Sequence, residues 1–372
     1  MSFLTSGLGR YLFFRTLIGF AIALAAVAAS ILLVDVVEQL RTIGARTDLS
    51  LWDALGLTAL KTPMLVEQTL PFVVLAGTMI SVMQLNRRSE LIALRASGVS
   101  AWRFLAPTAT AALLLGIFAT TLLNPIGAHF YERFETIKAR LEGQADGGRS
   151  AVTRNGVWLR QGDGTSQTVI HANAIAANSA TLQHATFFFF EIDPKDGALR
   201  FVSRINAANA VLRPSSMWEL HDITEARPGA PPKAEPIVSI PTTLPANALF
   251  DTFVTPGSLS FWRLPGFIAS ARAAGLAPVR YELKHQSLLA LPALLVAMAS
   301  LGAVFSLRLQ RLGGLAGYML VGIGAGFLLY FSGQLAAAFA VTEVVPPIVA
   351  AWSPPLTGFF AALAILSFVE DG

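Results

Sequence analysis

The most chemically suggestive stretch of the sequence is Arg88-Ser89-Glu90-Leu91-Ile92-Ala93-Leu94-Arg95-Ala96-Ser97-Gly98. Leu91 and Leu94, three positions apart, share a face of a short helix and could enter a groove on another protein. Glu90 and Arg95 would offer charged contacts beside them, and Gly98 suits the position just past a helix end. A plainer reading of the same residues is an interfacial turn anchored by arginines, and the residue types alone leave both standing. No G-x-x-x-x-G-K-[ST] run occurs, so the chain has no P-loop to cradle nucleotide phosphates and any ATP energy must come from a partner. Enzyme chemistry finds no constellation either. His129, His171, His184, His221 and His285 are scattered, with no H-E-x-x-H, and no G-x-S-x-G is present. The sequence contains no Cys, which excludes disulfides and thiolate metal sites. Neither a catalytic residue nor a bound metal or cofactor is expected.

A second group of residues sits where apolar segments end. Glu67 lies between Pro63 and Pro71 in an otherwise apolar run. A carboxylate there is costly unless it meets water, the bundle interior or a cation, so it faces a substrate cavity or stays solvated at the interface. Asp35, Glu38 and Arg41 follow the first apolar block, and the spacing of Glu38 and Arg41 allows a local ion pair. Alternatively Arg41, with Arg46 and Lys61, would meet an anionic headgroup.

The elements that must hold these residues are membrane helices. At 54% hydrophobic and 13% charged residues, the 372-residue chain is too apolar for an ordinary soluble enzyme. The apolar residues fall in blocks at Thr16–Val34, Pro63–Leu85, Phe104–Leu123, Ser287–Leu307, Leu315–Ala338 and Ile348–Val369. Each approaches the ~20 residues needed to cross ~30 Å of hydrocarbon. Arg10 and Arg15, then Arg87, Arg88, Arg95 and Arg103, then Arg308 and Arg311 lie at alternate ends of the blocks. The positive-inside rule puts that side, and both termini, in the cytoplasm. The net charge of +4 is then loop topology and does not signal nucleic acid.

Residues 124–286 read differently. Strand-like pieces at Gly156–Arg160, Thr168–His171, Thr186–Ile192, Leu199–Val211, Met217–Ile223 and Ile237–Leu244 alternate with turn chemistry such as Gln161-Gly162-Asp163-Gly164. Short strands with regular turns predict a sandwich or jelly roll outside the membrane, with Arg227–Pro236 as a loop. Phe187, Phe188, Phe189 and Phe190 put aromatics on both faces of one strand. One pair can build a core while the other lines an apolar slot, with Trp218 on a neighbouring strand; burial of both pairs is the alternative. His129–Leu141 continues the third span as a helix, and Ser260–Ala274 is a short amphipathic segment at the interface.

The chain resembles the LptF/LptG family of lipopolysaccharide export permeases. The resemblance is carried by Arg88–Gly98, by Asn124-Pro125, by Gly156-Val157-Trp158-Leu159, by Arg280-Tyr281-Glu282-Leu283 with His285, and by Val345-Pro346-Pro347 with Ala351-Trp352-Ser353-Pro354. It covers essentially the whole chain, and Val36–Leu40 and the tail lie nearer the LptG branch. It implies a multi-pass bacterial inner-membrane permease in three parts. Residues 1–123 hold spans one to three with a coupling helix at 89–97, residues 124–286 a periplasmic jelly-roll-like domain, and residues 287–372 spans four to six. It further implies a cytoplasmic ATPase dimer that uses ATP and Mg and docks on Glu90, Leu91, Leu94 and Arg95. The remaining implied partners are a paralogous LptF-like permease, a single-span LptC-like periplasmic bridge protein and lipopolysaccharide as cargo. Substrate phosphates would meet Arg41, although Asp35, Glu38 and Thr42 depart from the more basic pattern of the family. Permeases for another lipid or for lipoproteins, and a membrane sensor with a periplasmic ligand-binding domain, share this layout.

The arginine asymmetry makes a direct prediction about topology. A reporter active only in the periplasm should work when fused near Gln161 or Asn247 and fail at Ser97 or Gln310. Activity at Ser97 would overturn the orientation.

Overall fold

In a computed structural model the described residues are 7–42, 50–98, 100–145, 157–162, 166–175, 181–192, 199–213, 217–242, 256–273, 278–308 and 315–370. Helices α1 (Gly7–Thr42), α2 (Leu51–Arg87), α3 (Glu90–Ala96), α4 (Ala101–Phe118) and α5 (Asn124–Ala145) precede the strands. Helices α6 (Leu264–Ala273), α7 (Val279–Arg308), α8 (Leu315–Val341) and α9 (Pro347–Glu370) follow them. Among the described residues, six helical segments are long and apolar enough to span a bilayer: 7–41, 51–87, 101–138, 279–307, 320–341 and 347–368. They contain the first four apolar blocks and overlap most of the last two, and they extend beyond several of them because α2, α4–α5 and α7 carry polar turns past the hydrocarbon.

Local chemistry explains the helix ends. Ser50 and Asp53 form a reciprocal capping box at the start of α2, and the Ser100 hydroxyl accepts from the Arg103 amide at the start of α4. Pro63 and Pro71 lie inside α2, Pro107 inside α4, Pro292 inside α7, and Pro354 and Pro355 inside α9. Membrane helices tolerate such breaks because neighbouring groups satisfy the freed backbone. Between α4 and α5 the chain makes a π-helical turn, Ala119–Leu123. The Thr120 hydroxyl in that turn donates to the Leu288 carbonyl of α7 at 2.9 Å.

The bundle packs around α2 and α7, whose apolar stretches are 61% and 67% buried, against 17% for α1 and for α8. One core joins Phe20, Leu70, Val74, Met79, Ala112, Leu295, Met298 and Leu329. A second, around Leu12, Val82, Leu85, Leu91, Phe104, Leu105, Val304 and Leu307, closes the end of the bundle that carries α3. Small residues bring the backbones together, as expected where apolar burial alone gives no preference for helix over lipid. A Cβ on Gly77 would lie 2.8 Å from the Gly19 carbonyl oxygen, and one on Gly302 would lie 2.8 Å from the Leu75 carbonyl oxygen.

Strands β1 (Val157–Gly162), β2 (Ser166–Ile175), β3 (Thr181–Ile192), β4 (Leu199–Arg213), β5 (Met217–Ala226) and β6 (Lys233–Pro241) form one antiparallel sheet in sequential order. This is a meander, and the described strands do not show the crossover connections of a jelly roll. The segment expected as a loop is shorter than anticipated: only residues 227–232 turn, and Lys233–Pro236 belongs to β6. Pro236 fits there because β6 is an edge strand and pairing skips from Ile223↔Glu235 to His221↔Ile237.

That skip belongs to a row of irregular positions across the sheet. His184 and Asp222 have φ of 48° and 51°, and both lie opposite Ala208 in the register. Inward side chains flank the row three apart instead of two: Leu182 and Ala185, Ala207 and Ala210, Leu220 and Ile223. The sheet therefore creases along the row and keeps apolar side chains inward on both sides, as bulges do. All core members come from the strands themselves, and Phe187, Trp218 and Ile170 are fully buried. One sheet thus curls over its own core.

His and Asp are among the residues that tolerate left-handed backbone best, and a β-branched residue tolerates it worst. Asp222→Val should destabilise the domain by roughly 1–2 kcal/mol, while Asp222→Gly should be neutral or stabilising. Thermal unfolding of the detergent-solubilised chain checks the pair, and equal midpoints for the two variants would deny the crease.

Candidate functional site

At the α3 end of the bundle, the turn Arg88–Ser89 links α2 to α3, with Ser89 at φ 58°. The Ala93 amide donates back to the Ser89 carbonyl, so α3 starts directly from the turn. Gly98, at φ 79°, ends it in the left-handed conformation expected of that position. The helix is rotated differently from the expectation that Leu91 and Leu94 face outward. Leu91 is 2% exposed and packs with Leu12, Val82 and Leu85, with Leu94 half-buried beside them. The exposed apolar side chain is Ile92, at 58%, flanked by exposed Ala93 and Ala96. The reason is tertiary: Leu91 completes the core at this end of the bundle, and a three-residue offset cannot say which face wins. Glu90 is half-buried, and its Oε2 accepts from the Tyr11 hydroxyl at 2.6 Å. Arg95 lies on α3, and its side chain is outside the described residues.

The opposite end, where the chain leaves for the sheet and returns from it, holds the other charges. Glu67 is 7% exposed in α2. Its Oε1 accepts from Lys284 Nζ at 2.9 Å, and its Oε2 accepts from Asn124 Nδ2 at 2.8 Å. Asn124 Oδ1 in turn accepts the Phe261 backbone amide at 2.8 Å, and the Trp262 indole donates to the Thr121 carbonyl. This node ties α2, α5, α7 and the segment returning from the sheet. Glu67 is therefore met by a cation, one of the three ways a carboxylate is tolerated at such a depth. Both of its oxygens are engaged within the chain.

Lys61 Nζ lies 2.6 Å from Asp35 Oδ1, and Gln39 Nε2 donates to Asp35 Oδ2. The Lys61 ammonium also sits 5.8 Å from the centre of the Phe134 ring. Lys61 thereby joins α1, α2 and α5. Arg41 is exposed in the last turn of α1, where its charge complements the helix dipole. Arg46 lies outside the described residues. Sequence reasoning did not find Lys284 as the partner of Glu67 or Tyr11 as that of Glu90. Separations of 217 and 79 positions leave no local signature. A cavity of about 310 Å³ opens between α7, α8 and α9, with Arg280, Lys284, Ser287 and Gln334 among otherwise apolar lining residues.

In the sheet, the four phenylalanines divide. Phe187 is fully buried and contacts Phe189 and Trp218, with ring centroids 6.5 and 5.8 Å away. Phe188 and Phe190 are half-buried outside that cluster, and Phe190 meets Phe201 edge to face. Trp218, expected beside a slot, is instead a core residue with 0% exposure. Nearby, Arg213 donates two hydrogen bonds to Glu219 across the β4–β5 turn, holding that carboxyl below its ordinary value. Its contribution is present at neutral pH and fades as pH falls through the lowered value.

Six membrane-spanning helices with a sheet inserted after the third define a polytopic membrane protein whose polar chemistry sits at the two ends of its bundle. The chain belongs to the lipopolysaccharide export system permease LptF/LptG family, whose model matches residues 10–367. It is 23% identical over 343 residues to the lipopolysaccharide export system permease protein LptG of Escherichia coli strain K12, covering 90% of each chain. It is 25% identical over 356 residues to the protein of the same name from Haemophilus influenzae, covering 91% of this chain and 92% of the relative.

Removing Lys284 should leave the buried Glu67 carboxylate uncompensated, and removing Glu67 should strand a partly buried ammonium. Lys284→Met is expected to cost roughly 3–5 kcal/mol and Glu67→Leu less, and the two together much less than their sum. Thermal unfolding in detergent measures all three, and additive losses would show that the pair is not a unit.

Proposed function

We propose that this chain is the permease subunit through which an ABC transporter extracts lipopolysaccharide from the inner membrane and passes it toward the outer membrane. The observation that carries the reading is the family match across residues 10–367, which takes in α3, the bundle and the sheet together. Physical need agrees with it. Each buried CH₂ contributes about 0.8 kcal/mol to membrane retention, so a glycolipid with several acyl chains is held by tens of kcal/mol. Extraction requires an external energy source and a continuous apolar shelter. A partner ATPase dimer supplies the energy from ATP and Mg, on the cytoplasmic face. It docks against α3, with Glu90 as the charged contact and Ile92, Ala93 and Ala96 as the exposed apolar face; Arg95 lies on the same helix.

The lightly buried α1 and α8 face a cavity shared with a paralogous LptF-like permease. Arg41, exposed in the last turn of α1, offers a cation where lipid phosphates gather, with Arg46 five residues on in sequence and Lys61 joining them by giving up Asp35. The curled sheet acts as the jelly-roll-like part of the path, with Phe188 and Phe190 toward the acyl chains and Phe187, Phe189 and Trp218 holding its shape. An LptC-like bridge protein receives the lipid from the periplasmic side.

Glu90→Ala tests the docking. Loss of a charge-assisted contact of roughly 1.5–3 kcal/mol should weaken ATPase association on the order of 10- to 100-fold and leave the fold intact. Binding of the ATPase to the purified permease pair measures it. Unchanged association together with normal lipopolysaccharide export would sink the assignment of α3.

A further inference from the structure

The docking of an ATPase on α3 does not by itself account for the contact between α3 and α1. Tyr11 is 42% exposed on α1, yet its hydroxyl reaches Glu90 Oε2 at 2.6 Å. Beneath it, Leu91 shares a cluster with Leu8 and Leu12 of the same helix. Helix α3 is therefore joined covalently to α2 and α4 and non-covalently to the start of α1. The bundle holds these three unequally: the apolar stretch is 61% buried in α2, 44% in the span containing α4, and 17% in α1. Displacement of α3 meets least resistance through α1.

Helix α1 is built to turn such a displacement into motion at its other end. It crosses α2 at Gly19 and Gly77, where no side chain separates the backbones. Tyr11 precedes this crossing by about 12 Å of helix and Asp35 follows it by about 24 Å, at 1.5 Å per residue. At the far end α1 is held by the Asp35–Lys61 ion pair. A short arm, a close backbone crossing and a longer arm lie on one continuous helix.

We propose that Tyr11 is a positioning residue for export. Its hydroxyl holds the Glu90 carboxylate on α1, and a cationic group of the docked ATPase draws that carboxylate away. Both contacts are charge-assisted, but only the second joins two full opposite charges, so the exchange is favourable. Released from Glu90, α1 rocks over the Gly19–Gly77 crossing and moves the Asp35 end. This inference rests on the reading of α3 as the ATPase dock.

The test uses the full chain reconstituted with its transport partners in liposomes containing lipopolysaccharide. Tyr11→Phe removes only the hydroxyl. ATPase association should hold or tighten by up to roughly 3- to 10-fold, since docking no longer has to break that hydrogen bond, while lipid exported per ATP hydrolysed falls by a similar factor. In the Glu90→Ala background the same substitution should change nothing further. Because the chain contains no Cys, Val37→Cys and Trp52→Cys place spin labels at exposed positions on α1 and α2 without competing sites. The distance between them should change on adding ATP and Mg in the parent and stay fixed in Tyr11→Phe. Normal export per ATP in Tyr11→Phe, or an undiminished ATP-driven distance change, overturns the proposal and leaves the docking reading standing. Losses from Tyr11→Phe and Glu90→Ala that multiply independently also overturn it, since Tyr11 would then act elsewhere. Unaltered docking and export in Glu90→Ala defeats the docking reading and this one with it.

Discussion

Hydrocarbon offers no partner to a charge, so a carboxylate carried on a membrane helix must find its partner within the protein. Glu67 meets that demand with Lys284 and Asn124, and the choice organises the sheet-side end of the bundle. Asn124 reaches Glu67 at the point where the π-helical turn gives way to α5. Its second polar atom then fixes the Phe261 amide, the place where the chain returns from the sheet. One partly buried ion pair thus ties α2 and α7, with Asn124 bringing in α5, at the end of the bundle from which the chain leaves for the sheet.

The same economy of polar groups divides the bundle mechanically. Helices α2 and α7 are packed on most of their surface, whereas α1 and α8 present long apolar faces such as Leu33, Val34, Val37, Leu320, Leu328 and Phe331 outward. A helix covered mainly by lipid gains little from staying in one place, since lipid tails are as apolar as its side chains. Motion is therefore cheapest at α1 and α8. Polar contacts of α1 lie on both sides of the Gly19 crossing: Tyr11 with Glu90 on one side, Asp35 with Lys61 on the other. Between them Thr16 meets Thr108 of α4 through their hydroxyls.

The β domain solves a different problem. With no Cys to staple it, its stability rests on its own apolar core. The row at His184, Ala208 and Asp222 lets one meander cover that core from two directions without a second sheet. Left-handed backbone at two non-glycine residues is the local cost of the bend, and burial of Phe187, Trp218, Leu212 and Leu220 offsets it.

By itself, the sequence determined the six spans, the inserted all-β domain, the short helix at Glu90 and the family. Each of these rests on local composition or spacing: uncharged runs of membrane length, alternation with turn residues, and a contiguous motif. Tertiary structure alone decided which face of α3 is buried, since Leu91 and Ile92 are adjacent and equally apolar. It also decided that Trp218 is core, that Glu67 is spoken for by Lys284, and that the strands meander around a crease. These outcomes depend on pairings between residues far apart in the chain. The energy that selects them belongs to the assembled neighbours and not to any one segment.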